Sequence, residues 1–189
     1  ILSRSAPEFV RQLMVQEVPE ISDGTIVIEK IVRDAGYRTK LAVRSLDLKV
    51  DPVGACVGMR GMRVKNVMRE LLNEKIDIIP FSNDAVELLQ NALSPIEIRK
   101  ISVNSEDQVI SIVVDDEDFA AVLGKRGMNA RLNGQLIGYD LEVQKMTEYN
   151  KAMAVQRAEL ASSEDPTLDE QLTSIDGINP LLFEQLIEN

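Results

Sequence analysis

One pattern occurs twice in this chain, and it constrains the fold more than any other feature. Residues 53–65 read VGACVGMRGMRVK, and 66 residues later residues 119–131 read FAAVLGKRGMNAR. Gly58 and Gly124, Arg60 and Arg126, Gly61 and Gly127, and Met62 and Met128 are identical pairs, and their neighbours keep an apolar or small character. After each copy comes an amphipathic stretch and then a β-rich run, the second copy being read as three residues shorter between glycines and strand. Self-similarity of this kind marks one structural unit used twice.

Apolar periodicity supplies the elements of each unit. Phe9, Leu13, Val15 and Val18 predict an opening helix with Pro7 in its first turn. Residues 25–33 and 39–44 read as strands around the turn 34–37. Asp51 and Pro52 read as the cap and first residue of a short helix whose apolar face is Val53, Cys56 and Val57. Gly58–Gly61 interrupts it. Val64, Val67, Met68, Leu71 and Leu72 then outline a longer helix, and residues 75–79 a third strand. The second unit repeats the order: helix 84–93, strands 97–103 and 109–114, short helix 117–123, interruption at 124–127, longer helix 128–137 and strand 139–145. Each unit is therefore α-β-β-α-α-β, and the fold class is α+β. Residues 147–161 are polar and predicted helical, residues 162–166 read as a linker, and Leu168, Leu172, Ile175, Leu181, Leu182, Leu186 and Ile187 predict two short helices around Asp176 and Gly177.

Charge bears on what the pattern can bind. The 189 residues carry 21 Lys+Arg against 31 Asp+Glu, a net charge of −10, which on its own argues against nucleic acid. The distribution removes the objection. Residues 1–82 hold 13 basic and 11 acidic side chains, residues 83–146 hold 6 and 11, and residues 147–189 hold 2 and 9. Salt screens charge beyond about 8–10 Å, so an acidic tail is compatible with a basic binding face. The tail reads either as a solvated linker with the stub of another domain, or as a segment that competes with a ligand for the basic loops or binds another protein. The absence of His excludes imidazole acid–base catalysis and imidazole-ligated zinc. A single Cys excludes intramolecular disulfides and points to a reducing compartment, the cytoplasm. No apolar run approaches the roughly 18 residues of a membrane span and no signal peptide is visible, so no membrane partner is expected. A chain that opens on Ile instead of Met is read as a piece of a longer protein.

A Gly-x-x-Gly turn between two helices suits a phosphate chain. Its glycines permit positive φ, the missing side chains admit a sugar–phosphate backbone, and the amides opening the second helix carry the positive end of its dipole. The middle residues here are Met59-Arg60 and Lys125-Arg126, with Arg63, Lys65 and Arg69 following the first turn and Asn129 and Arg131 the second. Met62 and Met128 are read as helix packing. The acidic run 115–118 reads either as a hard-cation site or, preferred, as the opening of a helix, where acids complement the dipole, and Cys56 is expected buried and inert. An enzyme is the rival class, but residues 124–127 lack the Walker spacing and its Lys-Ser/Thr pair; no catalytic residue, metal site or cofactor is expected.

This pattern resembles the KH domain in its type II (prokaryotic) topology, a module that clamps about four nucleotides of single-stranded RNA or DNA at its Gly-x-x-Gly loop. The 4% aromatic content fits an aliphatic base groove and not the aromatic platform of an RRM. Residues 50–64 with 74–79 resemble the first KH domain of the bacterial NusA family of transcription factors, residues 91–95 with 124–132 its second, and residues 7–9 with 17–21 its entry helix. Tyr139 stands where that family commonly has Trp, and Asn133-Gly134 replaces an Ala-rich stretch, where Gly134 is expected to cost the helix up to about 1 kcal/mol relative to Ala.

The resemblance implies four regions: residues 1–5 as the end of an S1 domain, 6–82 as KH domain 1, 83–146 as KH domain 2, and 147–189 as an acidic helical linker opening a helix-hairpin-helix-like repeat. It implies binding of nascent single-stranded RNA, with effects on RNA polymerase pausing, termination and antitermination. Polymerase would be contacted mainly through an N-terminal domain outside this sequence, with other antitermination factors as further partners. The RNA-binding residues implied are Gly58, Met59, Arg60, Gly61, Arg63, Lys65, Gly124, Lys125, Arg126, Gly127, Asn129 and Arg131. Val57, Val64, Leu123 and Ala130 are either groove residues that receive bases or plain core. Replacing Gly58 with Gly61, or Gly124 with Gly127, by Asp is expected to cut RNA binding and spare melting. A ribosome-associated KH protein is a third class, expected to carry one KH module and a basic charge.

Overall fold

The computed structural model describes residues 3–162 of the chain. The chain divides into two units, residues 1–146 and 147–189. The first unit contains both repeats.

In the first repeat, α1 (Pro7–Glu17) opens on Pro7, where a missing N–H costs nothing. Its buried stripe is Val10, Met14 and Val18, one residue round from the expected Phe9 and Leu13, which pack half-buried at its edge. Pro19 then starts α2 (Pro19–Ser22), a single turn that periodicity is too short to reveal. Strands β1 (Ile26–Asp34) and β2 (Arg38–Ser45) pair antiparallel. The short helix α3 (Pro52–Val57) is capped as expected, Asp51 accepting from the Val53 and Gly54 N–H groups at 3.1 and 3.0 Å. Helix α4 (Met62–Glu70) follows, and β3 (Lys75–Pro80) returns parallel to β2, giving the order β1-β2-β3.

The second repeat has the same order and pairings: α5 (Ala85–Leu93), β4 (Ile98–Asn104), β5 (Val109–Val114), α6 (Asp116–Leu123), α7 (Met128–Ile137) and β6 (Asp140–Lys145), with sheet order β4-β5-β6. Two tandem type II KH folds are therefore present. Equivalent positions come from the sheet: Lys75 N–H bonds Tyr37 O and Asp140 N–H bonds Gln108 O. By that register the second copy is one residue shorter than the first, not three.

The extra residue sits where α4 ends. Leu72 and Asn73 take left-handed φ of 56° and 65°, while Asn73 N–H returns to Met68 O and Leu72 N–H to Arg69 O, a Schellman closure with leucine where glycine is usual. Leu72 is thereby turned outward, 87% exposed. It does not join the helix face on which its spacing placed it.

Module 1 closes one core around Val10, Met14, Leu41, Val43, Cys56 and Val67. The opposite face of its sheet carries Ala42 and Ile79 into the core of module 2, among Leu88, Leu89, Ile110, Ile112 and Leu136. Thr39 to Val43 are consequently all buried, as in strands covered on both faces. Lys40 lies in this run with its Nζ 3.1 Å from Asp77, and burial lowers its pKa against the pull of that carboxylate.

A buried ion pair joins the β1–β2 turn to the start of β3. Arg33 donates to both Glu74 carboxylate oxygens at 2.9 Å, and Glu74 also accepts from Thr39 Oγ1 and from Gly36 N–H. Arg33 Nη1 reaches on to the carbonyls of Arg4 and Ala6. Burial alone would raise the Glu74 pKa, but these donors and the Arg33 charge outweigh it and hold the carboxyl below its ordinary value.

In the second unit, α8 (Met146–Ser162) covers the helix expected over 147–161. Most of the linker expected at 162–166 and both helices expected around Asp176 lie outside the described residues.

Candidate nucleic-acid interface

Each Gly-x-x-Gly segment forms the same hinge. Helix α3 stops at Gly58 (φ 73°, ψ 172°) and α6 at Gly124 (φ 71°, ψ 177°). This corner of conformational space is essentially closed to residues with a Cβ. One 3-10 turn follows, over Met59–Gly61 and Lys125–Gly127. Gly61 and Gly127 then enter the next helix in the left-handed region, both at φ 73°. Positive φ was expected only of the glycines. The middle residues share it: Arg60 lies at φ 54° and Arg126 at φ 55°, a conformation costing about 1 kcal/mol or more for a side-chain-bearing residue.

The two glycines of each hinge serve different ends. A Cβ on Gly58 would lie 2.7 Å from Arg63 Cγ, and one on Gly124 would lie 2.6 Å from Asn129 Cβ and 3.0 Å from its backbone nitrogen. A Cβ on Gly127 would meet nothing within 4 Å, and one on Gly61 would meet only Lys65 and Val64 at ordinary contact. The first glycine admits a bracing residue from behind, and the second leaves open space in front.

The hinge amides are less available than the dipole argument expects. Gly61 N–H bonds Gly58 O and Gly127 N–H bonds Gly124 O, while Met62 and Met128 N–H close the 3-10 turns. The cationic side chains are open instead. Arg60, Lys65, Lys125 and Arg126 are exposed, and none makes a salt bridge among the described residues. Lys65 Nζ donates to Arg60 O, which keeps the two cations together. Met59 is 82% exposed, and Met62, expected to pack, is 62% exposed.

Three of the expected contact residues are engaged with the protein. Arg63 Nη1 donates to Ala55 O at 2.7 Å and to Glu20 at 2.8 Å. Asn129 is 7% exposed, and its amide donates to Ala121 O and Val122 O. Each reaches back to hold the helix before its hinge, a role that their reading as contacts did not include. Ala121 stands 66 residues after Ala55, as Asn129 does after Arg63, so the brace repeats with the motif although its residue type does not. Arg131 is exposed and pairs with Asp34 at 3.1 Å.

A cleft of about 660 Å³ opens beside the second hinge. Leu123, Gly127, Ala130, Arg131 and Gly134 line one side, Tyr139 to Leu141 the other. Gly134 is what lets the helix approach the strand, because a Cβ there would sit 2.7 Å from Tyr139 O. This close approach opposes the helix-propensity cost expected against alanine. Of the four candidate groove residues, Leu123 and Ala130 line this cleft, while Val57 and Val64 are half-buried beside the first hinge.

The other candidate groups settle into structural roles. Asp115 accepts three hydrogen bonds from Arg99, which holds its carboxyl below the usual range. The described residues hold no group of three or more acids, Cys or His placed to bind a metal ion. Burial, with the Glu20 charge second, pushes the Cys56 thiol up to about 12, so it carries almost no thiolate at neutral pH. No helix among the described residues is long and apolar enough to cross a membrane.

Comparison with known proteins agrees with the geometry. Residues 4–81 match the family described as NusA-like first KH domain, and residues 85–151 the NusA-like second KH domain. The chain is 40% identical over 171 residues to the transcription termination/antitermination protein NusA of Halalkalibacterium halodurans, covering 90% of this chain and 44% of that protein. It is 39% identical over 173 residues to the protein of the same name from Bacillus subtilis, covering 92% and 46%. The corresponding Mycobacterium tuberculosis protein is 43% identical over 143 residues, covering 75% and 41%. This chain thus spans less than half the length of these relatives. Among solved structures, that of APE1850 superposes with a TM-score of 0.55 at 20% identity, covering 73% of this chain and 97% of that one, a likeness of fold. With both repeats matched in order and relatives alike across most of its residues, the chain belongs to the NusA family and carries that family's two tandem KH domains.

Proposed function

We propose that this chain holds nascent single-stranded RNA through its two hinges, as the RNA-gripping part of a cytoplasmic transcription factor that modulates RNA polymerase pausing, termination and antitermination. The observation that carries the reading is the pair of matching hinges, each presenting unpaired cations around a glycine with open space in front of it. Arg60, Lys65, Lys125, Arg126 and Arg131 supply phosphate contacts, with Met59 beside them. Gly58, Gly61, Gly124 and Gly127 shape the path, and Arg63 and Asn129 brace it. Leu123 and Ala130 floor the cleft that receives bases. The chain acts as a binding protein and not as an enzyme. Polymerase and other antitermination factors are its partners in the longer protein, polymerase mainly through segments outside this chain.

The test uses the second glycines, since the first are sterically committed. Gly61→Asp and Gly127→Asp keep a left-handed conformation that Asp tolerates and place a carboxylate where a phosphate would lie. RNA affinity, read by fluorescence anisotropy, falls in each and is abolished in the double variant, while circular dichroism is unchanged. In the parent, log affinity falls with log salt at a slope of roughly −2 to −4, about −0.7 per phosphate contact. Full affinity in the double variant, or an affinity indifferent to salt, would refute the reading.

A further inference from the structure

The two hinges are held by different means. Behind hinge 1, Arg63 donates to Ala55 O and is itself anchored by Glu20, a residue of α2 in the same module. Behind hinge 2, the corresponding Asn129 donates to Ala121 O and Val122 O, and its Oδ1 accepts from Arg38 Nη1 at 3.2 Å. Arg38 is the first residue of β2 in module 1, and its Nε lies 3.2 Å from Asp77, also of module 1.

The chemistry of these groups leaves one arrangement. Arginine offers only donors, and the two helix carbonyls offer only acceptors. Asn129 satisfies both sides only with its oxygen toward Arg38 and its nitrogen toward α6. Asn129 is almost wholly buried, so without Arg38 its oxygen is left without a donor and one of the three bonds that hold the amide is lost. Two further bonds come from the same hairpin. Asp34 takes Arg131, and Lys30 Nζ donates to Leu136 O at 2.9 Å. The β1–β2 hairpin of module 1 thus holds α7 along its whole length, from the hinge to the last turn.

We infer that Arg38 is a positioning residue for RNA binding at the second hinge. Module 1 sets the shape of module 2's grip, while its own grip is set by Glu20 within the module. The dependence runs one way. This rests on the RNA-binding function proposed above, and it goes beyond it by naming a residue outside module 2 on which module 2's affinity depends.

The experiment reads one hinge at a time in the full chain. A Gly61→Asp background silences hinge 1 and a Gly127→Asp background silences hinge 2. The probe is a fluorescein-labelled, unstructured RNA of about eight nucleotides, four for each loop. In the Gly61→Asp background, Arg38→Met weakens binding about three- to tenfold, the range one hydrogen bond spans, and the salt slope stays as it was. In the Gly127→Asp background the same substitution changes affinity by less than about twofold, below that range. Glu20→Gln shows the mirror pattern, weakening hinge 1 alone. Arg38→Lys, which keeps a donor group and the charge on a shorter reach, restores part of the loss and carries the comparison if Arg38→Met fails to fold. Equal weakening of both hinges would mean a general loss of structure and would overturn the inference. A salt slope shallower by about 0.7 would make Arg38 a phosphate contact and overturn it as well. If neither glycine background alters binding, the RNA-binding reading itself has failed, a different result from an Arg38→Met variant that binds normally at a working hinge 2.

Discussion

Hinge 1 and hinge 2 have nearly the same backbone and different mechanical support. Their torsions agree at both glycines and at the left-handed arginine between them. Yet behind one stands a guanidinium anchored in its own module, and behind the other a short amide anchored in its neighbour. The conformation is local, since the glycines of Gly-x-Arg-Gly supply the positive φ at both ends of the turn. What keeps that conformation rigid is tertiary, and tertiary support need not be duplicated with the motif. A second contrast parallels the first. At the end of α4, module 1 closes with the buried Arg33–Glu74 pair, whereas module 2 closes with a plain glycine cap at Gly138.

That second contrast yields the largest expected effect. Glu74→Gln removes one partner of a buried, bidentate pair and should destabilise the chain by about 3–5 kcal/mol, read as a lower melting temperature. The same carboxylate sets a pH dependence. Its folded pKa lies below its ordinary 4.5, so the stabilisation is complete above that value and disappears as pH falls through the lower folded one. Melting temperature should decline over that acid range in the parent and decline less steeply in Glu74→Gln. An equally steep decline in the variant would place the acid sensitivity elsewhere.

Next in size is a comparison of first with second glycines. Gly124→Ala meets Asn129 backbone in a glycine-only region and should cost about 2–4 kcal/mol. Gly127→Ala meets nothing and should cost about 1 kcal/mol from its φ alone. Gly58→Ala should fall between them, because the atoms it meets belong to the flexible Arg63 side chain. If all three cost the same, the two glycines of a hinge have no separate roles. Gly134→Ala should cost about 1–3 kcal/mol through its contact with Tyr139 O; a gain in stability would mean that helix propensity decides there after all. Smallest is Arg126→Asn. Asn accepts left-handed backbone, so melting should hold or rise slightly, while RNA affinity falls and the salt slope becomes shallower by about 0.7.

Much of this architecture is legible in the sequence because it is local. The order of elements follows from short-range periodicity, and the Asp51 cap from residue type beside a helix start. The hinges follow from repeated glycines. What escapes is whatever depends on a partner distant along the chain. Arg63 and Asn129 look like free ligand contacts because nothing in their spacing reveals Glu20 or Arg38. Leu72 continues a helical stripe on paper, and only the Schellman closure, with Leu72 itself in the left-handed position, expels it. Lys40, in the middle of a buried strand, gives no local sign that a second module covers it. One signal was available for the braces: the residue two places past each second glycine is long or amidic, polar and unlike its counterpart, in a motif otherwise closely matched.

Ala42 and Ile79 lie in the same apolar core as Ile110 and Leu136, and Arg38 bonds Asn129 across the same boundary. Excising the rear repeat at the connection near residue 82 would bare that oily seam on both halves and leave a buried amide oxygen orphaned. Though duplicated, these repeats are not interchangeable parts: the front one could be transplanted with its own hinge support intact, and the rear one could not.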